Sequence, residues 1–403
     1  MRRISSVLSV LLAAAATFVA VPAIGGQTVA TAAVSPIPAP TGPYRVGVHV
    51  ARFVDAGRAD PWRPGRRELP VTITYPADDV RGHVRAPYVT ADAASIARAG
   101  GLDVTRLVGT RTNGYLDAPV ARNVKSLPVV VFSPGFLTPR FVYTALTEDL
   151  ASRGYVVVAV DHTGDAAATV FPDGRVVGMS VTDSYSETTQ RKSVAARVAD
   201  VRYLFGQARR WNSGHVIDAD RRALPAGLGR VIDPAKLGVF GHSMGGAVAA
   251  EVSRIDKRTG AAVNVDGALR VGTPAAPIVT RPSSRPVLHL ASSLHANSAE
   301  ARAKWWLPYL ANTRVSGGWS RVYRLADSGH ASFTDVAAFV PQSVPDVPFL
   351  AIPGGLSLGT APRLVAIATQ RALIGDTFDR FLKERAVPRL DNPKAYPLVS
   401  ELR

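Results

Sequence analysis

Residues 236–252 read KLGVFGHSMGGAVAAEV, an apolar stretch that runs into a glycine-rich turn and then into an alanine-rich stretch. The pentapeptide at 241–245 has the pattern G-x-S-x-G, with Ser243 at its centre. Chance alone produces this pattern often, but here a strand-like segment precedes it and a helix-like segment follows, which is the setting of a nucleophile elbow. Glycines at 241 and 245 leave room for a sharp, strained turn around the serine. The stretch therefore predicts a strand–turn–helix unit that presents Ser243 as a nucleophile.

The segments on either side of this unit are of two alternating kinds. Short apolar runs that read as strands lie at 69–75, 127–132, 155–160, 236–240, 261–265, 286–290 and 321–325. Amphipathic runs of helix length lie at 141–153, 188–210, 244–255, 297–311 and 361–386. Segments 44–54 and 69–75 have no helix between them and predict an antiparallel start. We therefore predict an α/β fold with a mostly parallel central sheet, helices on both faces, and a ligand site at the carboxyl ends of the strands.

A serine needs a base to take its proton, and in the elbow arrangement the acid and then the histidine follow the serine along the chain. The histidines after Ser243 are His289, His295 and His330. His289 lies inside a strand, where a packed core role is expected. His330 follows the strand at 321–325 on a loop with a glycine before it, so we predict His330 as the base. His295 is the main competitor.

The acid is expected at the end of a strand near the elbow. The loop after the strand at 286–290 offers no carboxylate before Glu300, which already belongs to the next predicted helix. One strand earlier, Asp266 stands at a carboxyl end, and we predict that it orients the imidazole. Asp256 and Asp327 remain as alternatives.

An oxyanion hole needs two backbone N–H groups near the nucleophile. Met244, which follows the serine, supplies one. The second is expected from the loop after the strand at 127–132, where Pro134 has no N–H. We therefore predict Phe136 as the other donor, with Leu137 as the alternative.

The first 32 residues have the pattern of a secretory signal peptide. Two arginines near the start precede an apolar run over 7–23, and the residues ATA at 30–32 offer a cleavage site. An uncleaved membrane anchor is the alternative. Because the residues after the arginine pair match the twin-arginine signal poorly, we expect a secreted protein that uses the general export route. Residues 33–43 then form a Pro-rich leader, and 44–403 form a single domain.

The composition of the 403-residue chain restricts its chemistry. It has no cysteine, which excludes a cysteine nucleophile, a thiolate zinc site and an iron–sulfur cluster. The net charge is +16, but the basic residues are spread thinly, so we expect no nucleic-acid partner and leave peripheral contact with an anionic lipid surface open. No ligand cluster requires a metal, and no cofactor is expected.

Other polar and aromatic residues have mostly structural interpretations. Asp161 and His162 end a strand and could line the site, although a hydrogen-bonded loop pair is the commoner case. Trp305 and Trp306 could form an acyl-binding wall or simply pack. Arg197 and Asp200 lie about one helical turn apart and are interpreted as a surface ion pair.

Together these segments resemble the platelet-activating-factor acetylhydrolase family, including its bacterial secreted relatives, which has the α/β-hydrolase fold. The resemblance runs from about residue 44 to the C-terminal helix. Its motifs are DPW (60–62), RELPVTITYPA (67–77), LPVVVFSPGF (127–136), LASRGYVVVAVDHTGDAAATVFPDG (150–174), DPAKLGVFGHSMGG (233–246) and GHASFTD (329–335). It implies calcium-independent hydrolysis of short or oxidised acyl esters, with Phe136 and Met244 as oxyanion donors and Asp266 as the acid.

The resemblance implies a small-molecule or lipid ester as substrate, platelet-activating-factor-like phospholipids included. A secreted lipase or polyester hydrolase for longer acyl chains is the alternative, because such enzymes share the sequence GHSMGG. From a different class, a non-catalytic protein that adheres to anionic lipid or wall polymer is also considered. The ordered Ser–Asp–His set argues against it.

Overall fold

The structure is a computed structural model that describes residues 37–184, 186–212, 218–270, 274–344, 346–347 and 356–402. The expected signal peptide at 1–32 lies outside these residues, as does the start of the Pro-rich leader. The described residues belong to one compact unit. Among them, no helix is both long enough and apolar enough to cross a membrane.

The strands of the described chain alternate with helices as the apolar pattern predicts. In chain order they are β1 Arg45–Ala59, β2 Arg66–Ala77, β3 Arg85–Pro87, β4 Arg111–Leu116, β5 Leu127–Ser133, β6 Val156–Val160, β7 Ala168–Val170, β8 Val176–Gly178, β9 Ile232–His242, β10 Thr259–Val265, β11 Val287–Ser292, β12 Ser320–Leu325, β13 Asp346–Val347, β14 Leu356–Ser357 and β15 Val399–Glu401.

The helices lie mainly between the central strands. They are α1 Ala91–Ala99, α2 Thr144–Ser152, α3 Glu187–Asn212, α4 Leu228–Val231, α5 Met244–Ile255, α6 Pro277–Thr280, α7 Ser293–Asn297, α8 Ala299–Ala301, α9 Leu307–Ser316, α10 Val336–Phe339 and α11 Arg363–Phe381. A π-helix spans Arg302–Trp306, and 3₁₀ turns span Thr105–Leu107, Arg140–Tyr143, His330–Phe333, Pro388–Asp391 and Pro393–Ala395.

One sheet holds eleven of the described strands, in the order β15-β12-β11-β10-β9-β5-β6-β2-β1-β4-β3. The six strands from β12 to β6 run parallel to one another. β1 and β2 pair antiparallel, and β2 pairs antiparallel with β6, so the predicted antiparallel start is present. This mostly parallel sheet with helices around it is the α/β-hydrolase fold, as predicted.

Both faces of the central strands are buried because helices cover both sides of the sheet. Along β5, Val130 and Phe132 point into one core, whereas Val129 and Val131 point into the other, as the two-residue strand period requires. α2 and α11 pack on the first face, and α3 and α5 pack on the second. The continuous apolar sequence of these strands follows from that double coverage.

The described part of the Pro-rich leader, residues 37–43, is bonded to the body of the protein. The Thr41 amide and hydroxyl both donate to Asp149 of α2, at 2.9 and 2.8 Å. The Arg371 guanidinium of α11 donates to the backbone carbonyls of Pro38 and Ala39, at 2.9 and 3.0 Å. The last residues of the leader therefore pack against α2 and α11.

Element boundaries differ most from the predicted ones where the chain leaves the central sheet. The predicted helix at 297–311 is three pieces, because the π-helix separates α8 from α9. The predicted helix at 361–386 ends at Phe381. The short strands β3, β4 and β15 at the sheet edges have no strong apolar run, and the sequence did not predict them.

Candidate active site

Four segments meet at the carboxyl edge of the sheet because the strands that lead into them lie close together. Ser243 follows β9, Asp266 follows β10 and His330 comes a few residues after β12. The loop at 134–137 follows β5, which is the neighbour of β9. Parallel strands thus deliver all the sequence-predicted site residues to one edge.

The turn at Ser243 is strained in the way that the pentapeptide predicts. Ser243 has φ 56° and ψ −126° and caps the N-terminus of α5. A Cβ at Gly241 or Gly245 would collide with the backbone carbonyl of Ser133 at the end of β5. The close approach of β5 therefore requires glycine at both positions. The strained backbone fixes the position of Ser243 at the end of β9.

Asp266 is buried, and hydrogen bonds account for both of its carboxylate oxygens. Oδ2 lies 2.6 Å from His330 Nδ1, and Oδ1 accepts the Ser292 amide at 2.6 Å. Burial alone would raise the pKa of Asp266, but the neighbouring imidazoles of His295 and His330 hold that pKa well below its usual value. The carboxylate is therefore ionised at neutral pH and acts as an acceptor.

His330 opens the 3₁₀ turn at His330–Phe333, and its side chain is 30 % exposed. Because a carboxylate only accepts, Nδ1–H of His330 donates to Asp266, which leaves Nε2 as a proton acceptor. Ser332 holds the turn in place, since its hydroxyl accepts the Gly329 amide at 3.1 Å and donates to the Leu358 carbonyl at 2.6 Å. We call Ser243, His330 and Asp266 the open array.

His242, the residue before Ser243, links the two sides of the site. Its Nε2–H donates to the His330 carbonyl at 3.1 Å, so its Nδ1 accepts the Tyr143 hydroxyl at 2.9 Å. Tyr143 in turn accepts the Gly135 amide at 3.2 Å. Burial lowers the pKa of His242 well below its usual value, and nearby His330 lowers it further. A neutral ring therefore connects the loop at 134–137 to the His330 turn.

Of the loop amides at 135–137, only one is left for a ligand. The Gly135 amide donates to Tyr143, and the Leu137 amide donates to the Asp165 carbonyl at 3.0 Å. Within the described residues, the Phe136 amide has no hydrogen-bond partner. Met244 is the first residue of α5, where a helix leaves its amides unpaired. The structure thus favours Phe136 over Leu137 as the second candidate donor.

A cavity of about 550 Å³ joins these groups. It is lined by Phe136, Leu137, Thr138, Tyr143, Ser184, Gln190, Val194, His242, Ser243, Met244, Ala247, Asp266, Ala268, Arg270, Ser292, Leu294, His295, Ser298, His330, Thr334 and Leu356. Its size is typical of a small-molecule site, and most of its exposed surface is apolar although many of its lining residues carry polar groups.

The competing site residues have surroundings different from those of His330 and Asp266. His289 is fully buried and bonds to Asn264, and burial lowers its pKa to about 3. Asp256 is bonded to two arginines at the end of α5. His295 lies in the cavity wall with its Nδ1 3.4 Å from Asp266 Oδ1, so it contacts the same carboxylate as His330 from the other side.

The structure corrects the interpretation of Arg197 and Asp200 and decides between the two interpretations of Trp305 and Trp306. The proposed surface pair of Arg197 and Asp200 is wrong, because both side chains are fully buried and each has a different partner. The sequence pattern shows only that they share a helix face; it does not show that this face turns toward the sheet. Trp305 and Trp306 are buried in a core cluster, with their rings edge-on to His295, which favours packing.

A second Ser–His–Asp set lies beneath the loop at 134–137. His162 Nδ1–H donates to Asp200 at 2.8 Å, and its Nε2 accepts the Ser133 hydroxyl at 2.9 Å. Burial lowers the pKa of His162 and the Arg197 cation lowers it further, so the ring is neutral. The three side chains are 0–1 % exposed. We call these residues the sealed array; no motif in the sequence indicates it.

Nitrogen and oxygen atoms of His242, Asp266 and His330 lie within 4.8 Å of one another, a spacing that could hold a metal ion. The His242 ring, however, uses both of its nitrogens in hydrogen bonds to Tyr143 and to the His330 carbonyl. The group therefore fits an acid–base site better than a metal site. That no metal or cofactor is needed stays a prediction.

Comparison with known proteins identifies the family. Residues 91–347 match the family model described as platelet-activating factor acetylhydrolase, isoform II. A protein of Arthroderma benhamiae (strain ATCC MYA-4681 / CBS 112371) named "Probable 1-alkyl-2-acetylglycerophosphocholine esterase" is 25 % identical over 321 residues, which cover 75 % of this chain and 77 % of that protein.

Among solved structures, the ferulic acid esterase from Streptomyces cinnamoneus superposes with a TM-score of 0.73 at 34 % sequence identity, covering 91 % of this chain and 99 % of that one. Both relatives are named as esterases. The chain is a carboxylic ester hydrolase that belongs to the platelet-activating factor acetylhydrolase isoform II family.

Proposed function

We propose that the protein hydrolyses short-chain acyl esters, platelet-activating-factor-like phospholipids included, with the open array as its catalytic triad. The observation that carries the proposal is the 2.6 Å contact between His330 Nδ1 and Asp266 Oδ2 at the wall of the cavity that also contains Ser243. That contact fixes the tautomer in which His330 Nε2 is free to accept the serine proton.

In the proposed acylation step, Ser243 Oγ attacks the acyl carbonyl while His330 Nε2 takes the hydroxyl proton. The ionised Asp266 stabilises the imidazolium that forms. Negative charge develops on the former carbonyl oxygen, where the Phe136 and Met244 amides are placed to bind it. The intermediate then expels the alcohol, which takes the proton from His330.

Deacylation follows the same steps, with a water molecule in place of the serine hydroxyl. His330 Nε2 takes a proton from a water molecule, which attacks the acyl-enzyme carbonyl, and the same two amides bind the oxyanion. Collapse releases the carboxylic acid and returns the proton to Ser243. The chain's own residues supply the nucleophile, the base and both donors.

A second substrate class is favoured by the solved relative. The ferulic acid esterase from Streptomyces cinnamoneus shares 34 % of its sequence over nearly its whole length, more than the fungal phospholipid esterase does. Phe136 and Leu294 give the cavity apolar walls, and its volume of about 550 Å³ is sufficient for an aromatic acyl group. Hydroxycinnamate esters are therefore the alternative to short alkanoyl esters.

The substrate class is tested by a rate profile on p-nitrophenyl esters from acetate to palmitate, run beside methyl ferulate and a phospholipid with an sn-2 acetyl group. We expect kcat/KM to be greatest at acetate or butyrate and to fall steeply at longer chains. A maximum at octanoate or beyond would replace the proposal with a lipase or polyester hydrolase, and a preference for ferulate would replace it with an aryl esterase. Ser243→Ala serves as the control for background hydrolysis.

We also propose that residues 1–32 direct export and that residues 44–403 act as a single secreted domain. The net charge of +16 supports peripheral contact with anionic lipid surfaces. Sedimentation with vesicles of anionic and zwitterionic lipid tests that contact; we expect binding to the anionic vesicles alone and its loss at high salt.

A further inference from the structure

We propose that Arg197 is a positioning residue for catalysis: it orients and polarises the peptide group whose N–H binds the oxyanion. The inference rests on the proposed function, because it assumes that the Phe136 amide acts as an oxyanion donor. It assigns a catalytic purpose to a buried cation that the mechanism above leaves unused.

The Arg197 guanidinium donates to two consecutive carbonyls of the oxyanion loop. Nη1–H bonds to the Pro134 carbonyl at 2.6 Å, and Nη2–H bonds to the Gly135 carbonyl at 3.2 Å. The Gly135 carbonyl and the Phe136 amide belong to the same peptide unit. In a planar trans peptide the C=O and N–H point in opposite directions. A cation that holds this carbonyl therefore directs the Phe136 N–H away from itself.

Arg197 is itself held firmly enough to do this. It lies on α3 with its side chain fully buried, and it donates to both oxygens of Asp165, at 2.7 Å each. The backbone carbonyl of Asp165 accepts the next amide of the loop, that of Leu137, at 3.0 Å. The Asp165–Arg197 pair thus binds the loop on both sides of Phe136. Since Tyr143 accepts the Gly135 amide, the Phe136 amide is the one amide at 135–137 without a partner among the described residues.

The charge of the guanidinium has a consequence beyond orientation. A cation on a carbonyl oxygen polarises the peptide group and makes its N–H a stronger donor, and the low dielectric of a buried site increases the effect. A neutral ester carbonyl gains little from a stronger donor, whereas the oxyanion of the transition state gains much more. The contribution of Arg197 should therefore affect kcat and leave KM nearly unchanged.

A purely structural role for Arg197 predicts a different pattern, and Arg67 provides the matched control. Arg67 is also fully buried and also donates to carboxylates, Asp200 at 2.7 Å and Asp60 at 2.9 Å, and to the Thr163 carbonyl at 2.6 Å. Its contacts are with residues outside the loop at 134–137. Replacing either arginine with lysine disturbs a buried ion pair, but only one replacement changes the oxyanion loop.

The test compares full-length Arg197→Lys and Arg67→Lys on p-nitrophenyl butyrate. For Arg197→Lys we expect kcat to fall about ten- to a hundred-fold, less than the roughly 10²–10³-fold for the loss of a whole donor, with KM within about twofold. The affinity for an alkyl trifluoromethyl ketone, which forms a tetrahedral oxyanion on the serine, should fall by the same factor as kcat. Arg67→Lys should lower the melting temperature without lowering kcat.

The inference is overturned if Arg197→Lys keeps the wild-type kcat and ketone affinity, or if both arginine variants lose kcat equally. Should Arg197→Lys fail to fold, Asp165→Asn loosens the arginine without removing its charge, and the same loss of kcat and ketone affinity is then required. The Ser243→Ala variant distinguishes a failure of the proposed function from a failure of the proposal on Arg197. If Ser243→Ala stays active, the proposed function fails. If it is inactive while Arg197→Lys has normal kcat, only this inference fails.

Discussion

The open array and the sealed array contain the same three residue types, and both have a histidine–aspartate hydrogen bond, yet the open array lines a cavity whereas the sealed array is buried. The histidine–aspartate contacts are 2.6 Å in the open array and 2.8 Å in the sealed one. What differs is access: the side chain of His330 is 30 % exposed, and that of His162 is 1 % exposed. The histidine–aspartate hydrogen bond alone therefore does not distinguish the two arrays.

The two serines also differ in their backbone setting. Ser243 sits on a strained turn with the first amide of α5 next to it, whereas Ser133 is the last residue of β5 and precedes a proline. The Met244 amide lies next to Ser243 at the start of α5, and Pro134, which follows Ser133, has no N–H. A nucleophile thus needs an elbow and a donor as well as a base.

The largest expected effect is the loss of kcat when Ser243, rather than Ser133, is replaced. Ser243→Ala should lower kcat by about 10⁴-fold or more, since removing a triad nucleophile leaves only binding and the oxyanion hole. Steady-state rates on p-nitrophenyl butyrate and labelling by a fluorophosphonate measure it. A variant that still reacts with the probe would show that the nucleophile lies elsewhere.

The aspartates give the next comparison. Asp266→Asn should lower kcat by roughly 10³–10⁴-fold with little change in KM, because an amide no longer selects the tautomer that leaves His330 Nε2 free. Asp200→Asn should instead lower the melting temperature, because Arg67 loses a buried partner. If Asp200→Asn lowered kcat as much as Asp266→Asn, the proposal that the open array is catalytic and the sealed array structural would be wrong.

The aspartates of the two arrays should contribute little to the pH dependence of stability near neutral pH. Asp266 and Asp200 both have a pKa below the usual value, so the stability they contribute is lost only as the pH falls into the acid range. Asp335 differs: burial raises its pKa to about 7, from 3.8. Its contribution to stability is fully present below about pH 4 and is lost as the pH rises through about 7.

Asp335→Asn should therefore make the slope of stability against pH more positive between about 5 and 7, because the variant lacks the contribution of Asp335 that falls as the pH rises. The shift from 3.8 to about 7 corresponds to roughly 4 kcal/mol at most. Melting temperatures at pH 5, 6, 7 and 8 measure the slope for the wild type and the variant. Equal slopes would show that another group titrates there.

The smallest expected effect concerns the sealed serine. Ser133→Ala removes the donor to His162 Nε2 and leaves a buried acceptor unpaired, which costs about 1–3 kcal/mol of folding free energy. We expect kcat to stay within about threefold of the wild type. Chemical denaturation and steady-state kinetics together check both parts, and a large loss of kcat would mean that the sealed array acts on the oxyanion loop.

Most of the fold could be predicted from the sequence because the central strands are covered on both faces and therefore form continuous apolar runs. The same logic placed Ser243, Asp266 and His330 at strand ends, and the structure brings His330 and Asp266 into contact. Their catalytic roles stay predictions. The sequence placed Phe136 before Leu137 as the second donor, and the structure adds that the Leu137 amide is bonded to the Asp165 carbonyl.

What the sequence could not show is the direction in which charged residues point. Arg197 and Asp200 have the spacing of a surface pair, yet their helix turns that face toward the sheet, and their partners come from distant segments. Asp165 and Arg67 carry no local pattern that predicts such contacts. Buried ion pairs between distant segments are set by tertiary packing, which a single sequence does not reveal.

Both edges of the eleven-stranded sheet end in strands of only three residues, β3 and β15. A long free edge offers unpaired backbone groups to other chains, whereas such short edges offer few. β15 covers β12, whose Val322, Tyr323 and Leu325 are buried. β15 therefore covers the backbone edge of β12, and we expect a variant shortened before Val399 to form larger oligomers than the intact protein at the same concentration, which light scattering would measure.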